Sequence, residues 1–135
     1  MFRFLINLFI ILHGLVHLWY FTLSQRLVVF KPEMGWTGKS WILSSLLGDS
    51  TTRLLAGALF VLVAIVFVIS GVGLFVGAEW WRTALISSAI FSCAIILIFW
   101  DGSMQLIIQK GLIGFLISLV MLLVLLLLKG PSAVF

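Results

Sequence analysis

Two histidines four residues apart are the side chains in this sequence best suited to chemistry. His13 and His17 lie in the stretch LHGLVHLWYF, residues 12–21, inside an apolar run in which Arg3 is the sole charge. On an α-helix this spacing places both imidazole rings on one face, about one turn or 5.4 Å apart. Because imidazole binds metals and titrates near neutrality, such a pair could chelate a metal ion, relay protons or hold a cofactor.

A complete metal or haem site needs more ligands than this pair supplies. Structural zinc takes four protein ligands, and catalytic zinc takes three plus water. The chain has no third histidine and only four carboxylates. Haem iron that is bound from both faces of its ring cannot take both ligands from neighbouring turns of one helix. We therefore expect no resident cofactor, with a metal ion, haem or quinone at His13 and His17 as the alternative.

Two charged residues, Arg53 and Asp101, are candidate partners for the histidines. The first helix would carry His17 toward the end of the bundle where Arg53 opens the second helix and Asp101 closes the third. Polar groups within membrane spans are costly and usually face the bundle interior or a wet cavity. The sequence therefore predicts a polar intramembrane cluster of these four residues. The structural alternatives are cross-helix hydrogen bonds for the histidines, a hydrated turn for Asp101 and snorkelling to the headgroups for Arg53.

The composition is typical of a membrane protein. Of 135 residues, 64% are hydrophobic and 9% are charged, whereas soluble domains have roughly 45–50% and about 25%. Strand alternation is absent, which leaves helices as the structure that satisfies its own backbone hydrogen bonds in lipid. The net charge of +4 comes from basic residues near the ends of apolar segments, so the sequence predicts no nucleic-acid partner.

Four apolar runs are long enough to cross a hydrocarbon core of about 30 Å, which needs roughly 20 helical residues. They cover about residues 2–24, 54–78, 83–100 and 106–128. The connections GAEWWRT and DGSMQ are short, which favours antiparallel neighbours. We therefore predict a single all-α domain, residues 1–135, that forms an integral membrane, antiparallel bundle of four transmembrane helices.

The long first connection, residues 25–53, is expected to cover one end of the bundle. Its segment KPEMGWTGKS contains one proline and two glycines, which break regular structure. The overlapping SWILSSLLGD is amphipathic and predicts a short helix on the membrane interface. Aromatic side chains such as Trp36 and Trp41 are expected in the same interfacial belt.

The hexapeptide GWTGKS, residues 35–40, is similar to part of a phosphate-binding loop. The complete pattern needs a glycine where this chain has Glu33, and it follows a β-strand. Neither requirement is met, so we expect no nucleotide partner.

Small residues late in the second span and along the third predict close helix contacts. Gly73 and Gly77 form a Gly-x-x-x-Gly pair, and Ala84, Ser88 and Ser92 lie on one helical stripe. Such residues let helix backbones approach each other, either within the bundle or between two copies of the chain.

Short motifs are spread over nearly the whole chain: LHGLVHLWYF, GWTGKSW with LLGDSTTRLLAG, EWWR, FWDGSMQ and KGLIG. This pattern resembles that of a group of small four-helix prokaryotic membrane proteins that are loosely DoxX-like. The resemblance implies a multi-pass protein of the prokaryotic plasma (inner) membrane, in which the His-Gly-x-x-His and Trp-Asp-Gly segments belong together. A DoxX-like relationship would also imply association with quinone-linked redox complexes.

These observations leave three functional hypotheses. The first is a non-enzymatic accessory or scaffold subunit of a membrane assembly, with other membrane subunits or a second copy as partners, because no catalytic constellation is recognisable. The second is a transporter or channel for protons, a metal ion or a small apolar molecule that uses His13 and His17. The third is a membrane redox protein that binds haem or quinone through the same pair.

Overall fold

The computed structural model describes residues 2–127, and these residues are folded into four long helices. The helices are α1 (Phe2–Ser24), α2 (Leu43–Val76), α3 (Trp81–Ile98) and α4 (Ile113–Leu127). A 3₁₀ turn at Pro32–Met34 lies in the long connection, and a π-helical segment, Ile108–Leu112, runs directly into α4. No β-strand occurs between residues 2 and 127. The prediction of an all-α chain with four helices long and apolar enough to cross a membrane is confirmed.

The second helix combines the short helix predicted in SWILSSLLGD with the second apolar span, on either side of a kink. It starts at Leu43, because the hydroxyl of Ser40 accepts hydrogen bonds from the N–H groups of Ile42 and Leu43, at 3.3 and 3.0 Å. Gly48 interrupts it with non-helical angles, φ 78° and ψ 161°. The helical turn before Gly48 therefore occupies the amphipathic segment of the connection. The last residue predicted for the fourth span, Leu128, lies outside the described residues.

The helices contact each other in chain order, α1 with α2, α2 with α3, and α3 with α4. Glycines allow α1 and α2 to approach closely. A Cβ atom added at Gly14 would collide with the Cβ of Phe67 and would lie 3.3 Å from the carbonyl oxygen of Ala64. One added at Gly71 would lie 2.6 Å from Ile11. The α1–α2 seam therefore depends on a glycine from each helix.

The Gly73 and Gly77 pair lies late in the second span, as the sequence indicates, and shapes the turn from α2 into α3. A Cβ atom at Gly73 would lie 2.6 Å from the Trp80 ring, so this glycine accommodates the turn that follows α2. Gly77 ends α2 in the left-handed conformation, with φ 72°. The pair serves the end of the helix, because a residue with positive φ and an adjacent tryptophan must both fit there.

The connection between α1 and α2 inserts a tryptophan into the end of the bundle. Trp36 is 3% exposed, and its ring packs edge-on against Phe60 and Phe99, with centroids 6.1 and 6.0 Å away. Its indole nitrogen donates to the carbonyl of Lys39 at 2.8 Å. The expectation that Trp36 lies at one end of the bundle holds, and its ring is buried there between α2 and α3. Trp41 remains largely exposed.

Candidate functional site

The buried face of α1 carries an alternation of polar and apolar side chains. Its buried positions recur every three or four residues and include Asn7, Ile10, His13, His17 and Tyr20. His13 is 6% exposed and His17 is 2% exposed. Both imidazoles therefore point into the bundle, as the cost of exposing polar groups to an apolar surrounding requires.

Hydrogen bonds join the two histidines to serines of α3 and α4. Nε2 of His13 lies 3.0 Å from Oγ of Ser118, and Nε2 of His17 lies 2.8 Å from Oγ of Ser92. The two serine hydroxyls are 2.9 Å apart, and Nδ1 of His17 lies 3.1 Å from the carbonyl oxygen of His13. These four residues, which we call the His–Ser network, form a closed ring of hydrogen bonds across α1, α3 and α4.

The donors and acceptors of the His–Ser network have one consistent order when both rings are uncharged. A carbonyl oxygen can only accept, so Nδ1 of His17 carries a proton and donates it to the carbonyl of His13. The bare Nε2 of His17 then accepts from Ser92, whose oxygen accepts from the hydroxyl of Ser118. Ser118 in turn accepts from Nε2–H of His13. The two imidazoles therefore have opposite tautomers.

Aromatic rings surround the network on its other sides. Phe67 of α2 is fully buried and meets His13 edge-on at 5.1 Å and His17 face-on at 5.6 Å between ring centroids. Phe9 stacks on His13 at 6.2 Å, and Phe60 lies 6.4 Å from His17. All four helices thus contribute to an apolar enclosure, in which each hydrogen bond is stronger than it would be in water.

Most of the ligand-binding capacity of the two rings is already used. Nε2 of both rings and Nδ1 of His17 are hydrogen-bonded, which leaves Nδ1 of His13. A metal ion or a haem iron at either Nε2 would first have to displace a serine. Across the described part of the chain, no group of three or more His, Cys, Asp or Glu side chains could hold a metal ion.

Asp101 pairs with a lysine rather than with a histidine. Its Oδ2 lies 2.8 Å from Nζ of Lys110, and the two side chains are 9% and 6% exposed. The same carboxylate accepts from the Thr37 hydroxyl at 3.3 Å and from the N–H of Ser103 at 3.0 Å. The Trp-Asp-Gly segment therefore ties the end of α3 to the start of α4 and to the long connection.

Arg53 lies in a third place, at the end of the bundle covered by the long connection. Its side chain extends past Gly38, where an added Cβ would lie 2.9 Å from the arginine Cδ. Its carbonyl accepts from Nε2 of Gln25 at 3.4 Å. Of the predicted cluster of His13, His17, Arg53 and Asp101, the structure brings the two histidines together, and among the described residues neither charged side chain forms a hydrogen bond or ion pair with them.

Sequence reasoning did not assign the two serines to the site. Ser92 was expected as a small contact residue, and Ser118 was not singled out. A signal exists for Ser118, because it is the sole hydroxyl side chain between residues 104 and 127. The arrangement can fix the helices, and it can pass protons between imidazole and hydroxyl groups. The chain matches none of the protein-family models, curated proteins or solved structures with which it was compared.

Proposed function

We propose that this chain is a multi-pass membrane protein with four antiparallel spans, acting as a non-enzymatic accessory or scaffold subunit of a membrane assembly. The length and apolar character of the four helices support the membrane location. The resemblance of the motifs to small DoxX-like proteins supports a prokaryotic plasma membrane. In this arrangement the long connection covers one end of the bundle on a single side of the bilayer.

Contacts between α1 and α2 support the antiparallel arrangement. Gly71, late in α2, faces Ile11 early in α1, whereas Gly57, early in α2, faces Ser24 at the end of α1. Short turns then join α2 to α3, and α3 to the segment before α4.

The observation that carries the accessory role is the closure of the His–Ser network. A catalytic or transport site needs polar groups that are free to meet a ligand, whereas three of the four ring nitrogens and both serine hydroxyls are bonded within the network. Buried networks of such hydrogen bonds fix the arrangement of the elements that they join. We therefore assign the histidines the role of holding α1, α3 and α4 together, which leaves the outer surface to meet partners.

The fourth helix offers the broadest uncovered surface. In the most apolar stretch of Ile108–Leu127, which joins the π-helical segment to α4, 17% of the residues are buried, against 33% in α1 and α3 and 44% in α2. Ile113, Leu116, Val120 and Leu123 are exposed at the three- and four-residue spacing of a helix–helix seam. A cavity of about 260 Å³ between α1 and α4 adjoins this row and is lined by Phe9 and Met121 among others. We propose that a transmembrane helix of another subunit packs here.

Site-specific photo-crosslinking in native membranes tests the partner. A photoreactive residue at Val120 should give a discrete adduct with another membrane protein, or with a second copy of this chain. The same residue at Ile65 of α2, which is comparably exposed, is the matched control and should give lipid adducts. Adducts with lipid alone from both positions would contradict the scaffold role.

Cysteine labelling tests the topology independently. In a Cys93→Ala background, cysteines at Glu79 and Ser103, both exposed in turns at opposite helix ends, should react with an impermeant maleimide from opposite sides of the membrane. Labelling of both from one side would rule out the four-span arrangement.

A proton relay is the second candidate function, because the network is also a chain of groups that each donate and accept. A proton that reaches Nδ1 of His13 could be passed from Nε2 through the two serine hydroxyls to Nε2 of His17. Proton flux into liposomes containing the protein should then fall in Ser92→Ala and persist in Ser88→Ala. Equal flux in both variants and in empty liposomes would eliminate the relay.

A further inference from the structure

Two arginines line a pair of adjoining cavities at the end of the bundle that the long connection covers. The cavities have volumes of about 470 and 270 Å³, and Arg26 and Arg53 line both of them. Thr37 lines the larger, while Ser50 and Thr51 line the smaller. We call this region the arginine cleft. It lies where α1 ends and where α2 continues beyond Gly48, away from the His–Ser network.

Arg26 has a backbone conformation that glycine normally takes. Its φ is 54°, its N–H donates to the carbonyl of Leu23 at 3.1 Å, and the N–H of Leu27 donates to the carbonyl of Thr22 at 3.0 Å. This hydrogen-bond pattern is the Schellman motif at a helix end, where the left-handed residue is usually glycine. An L side chain is strained in this conformation. Backbone strain of this kind is concentrated at ligand-binding and active sites.

The fold also makes room for the second arginine. Gly38 has φ 83°, and a side chain there would press on Arg53, since a Cβ atom would lie 2.9 Å from its Cδ. The carbonyl of Arg53 is held by Nε2 of Gln25, which directly precedes Arg26 in the chain. The end of α1 and the start of the long α2 segment are therefore fixed to each other at the cleft.

The positive charge of the cleft is not neutralised by the acidic residues of the described chain. Asp101 is paired with Lys110, and Asp49 lies 4.0 Å from Lys39. Between residues 3 and 127, no carboxylate is within 4.0 Å of either cleft guanidinium. Two arginines and neighbouring hydroxyls that line the same cavities supply the donors that a phosphate needs, since arginine binds phosphate oxygens through two parallel N–H bonds.

Exposed apolar side chains beside the arginine cleft, which we call the rim, indicate the kind of molecule to which the phosphate belongs. Leu27, Val29 and Phe30 follow Arg26 directly and are 64%, 84% and 43% exposed. A free anion would gain nothing from this rim, whereas a lipid would cover it. We propose that the arginine cleft binds an anionic phospholipid, with its phosphate between Arg26 and Arg53 and an acyl chain along the rim. The inference rests on the membrane insertion proposed above.

Thermal unfolding of the purified full chain in neutral detergent, followed by tryptophan fluorescence, tests the proposal. Phosphatidylglycerol added to the micelles should raise the melting temperature by several degrees. Phosphatidylcholine and inorganic phosphate at the same concentration should not. An equal rise in melting temperature with inorganic phosphate would overturn the lipid proposal in favour of a free anion. An equal rise with phosphatidylcholine would overturn the proposal that the arginines select an anionic headgroup.

Variants of equal charge separate the cleft from general attraction to a basic protein. Arg26→Gln with Arg53→Gln should abolish the response to phosphatidylglycerol, whereas Lys31→Gln with Lys39→Gln should retain it. Arg26→Gly keeps the test valid if the double arginine variant fails to fold, because glycine suits the left-handed conformation of residue 26. It should melt higher than wild type without lipid and respond less to phosphatidylglycerol. A full response in either arginine variant would overturn the proposal.

Alkaline carbonate extraction of native membranes distinguishes failure of this inference from failure of the proposed function. A protein that stays in the membrane fraction but shows no preference for phosphatidylglycerol contradicts the lipid site alone. A protein that is released into the soluble fraction contradicts the membrane insertion and, with it, the basis of the lipid site.

Discussion

Replacing Ser92 by alanine should weaken the bundle more than its small change in volume suggests. The Ser92 hydroxyl is fully buried, donates to Nε2 of His17 over 2.8 Å and accepts from Ser118 over 2.9 Å. An interhelical hydrogen bond in a membrane protein contributes about 0.6 kcal/mol on average, so two contribute about 1.2 kcal/mol. Leaving the Nε2 of His17 without a donor adds about 1 kcal/mol. We expect a loss of about 2 kcal/mol, or roughly 30-fold in the unfolding equilibrium.

Ser88→Ala is the matched control for this prediction. Ser88 lies one turn earlier on α3 and is equally buried, but its hydroxyl donates at 2.9 Å to the Leu85 carbonyl of its own helix. That carbonyl keeps its helical partner when the hydroxyl is removed, and alanine is the better helix former. We expect a change in the free energy of unfolding of less than about 0.5 kcal/mol.

Unfolding by SDS from mixed micelles, followed by circular dichroism, measures both variants against wild type. Combining Ser92→Ala with Ser118→Ala should cost less than the sum of the single changes by about 0.5–1 kcal/mol, because the two serines share one hydrogen bond. Equal stability of Ser92→Ala and Ser88→Ala would refute the network as a connection between helices.

Three further substitutions test the packing by the same unfolding measurement. Gly14→Ala should lower the free energy of unfolding by about 1–3 kcal/mol, because the added methyl group would collide with α2. Its control, Gly114→Ala, should change stability little, since the added Cβ would lie 3.7 Å from its nearest neighbour. Equal effects of the two variants would contradict the close α1–α2 seam. Trp36→Ala should lower the free energy of unfolding by about 3–5 kcal/mol, because it empties the space between α2 and α3. Leu46→Ala, at a position that is 73% exposed, should have a small effect. A small effect of both variants would place Trp36 outside the core. Asn7→Leu should raise the free energy of unfolding by about 1 kcal/mol, since it removes a buried Oδ1 that has no hydrogen-bond partner among the described residues. A loss of stability in this variant would show that the oxygen has a partner.

The sequence predicts the long helices well because their apolar runs dominate all other signals. The short helix before Gly48 lies in SWILSSLLGD, where the amphipathic pattern predicts one. Its first residue depends on the Ser40 hydroxyl bonding to nearby N–H groups, and a hydropathy pattern does not contain that information. The burial of Trp36 could not be predicted for a related reason. Hydropathy places its ring near the end of a span, whereas the turn at Pro32–Met34 and the bond to the Lys39 carbonyl direct the ring inward.

The inward direction of the histidines could be predicted, but their partners could not. The four-residue spacing puts His13 and His17 on one face of the helix. Polar groups in apolar surroundings need hydrogen-bond partners, and the bundle interior can supply them, so this face is expected to point inward. Which side chains meet them depends on the rotation of α3 and α4 about their own axes, which nearly uniform apolar sequences leave open. Asp101 was grouped with His17 by its height in the bundle alone, whereas Lys110, nine residues further along the chain, reaches it directly.

The tautomers of the two histidines test the central claim most directly. Nitrogen-15 NMR of the histidine-labelled protein in lipid bilayers distinguishes a protonated Nδ1 from a protonated Nε2. The His–Ser network predicts a proton on Nε2 of His13 and on Nδ1 of His17, with the two rings assigned by single His→Gln variants. Identical tautomers in both rings, or the averaged signals of imidazoles in exchange with water, would contradict the closed network.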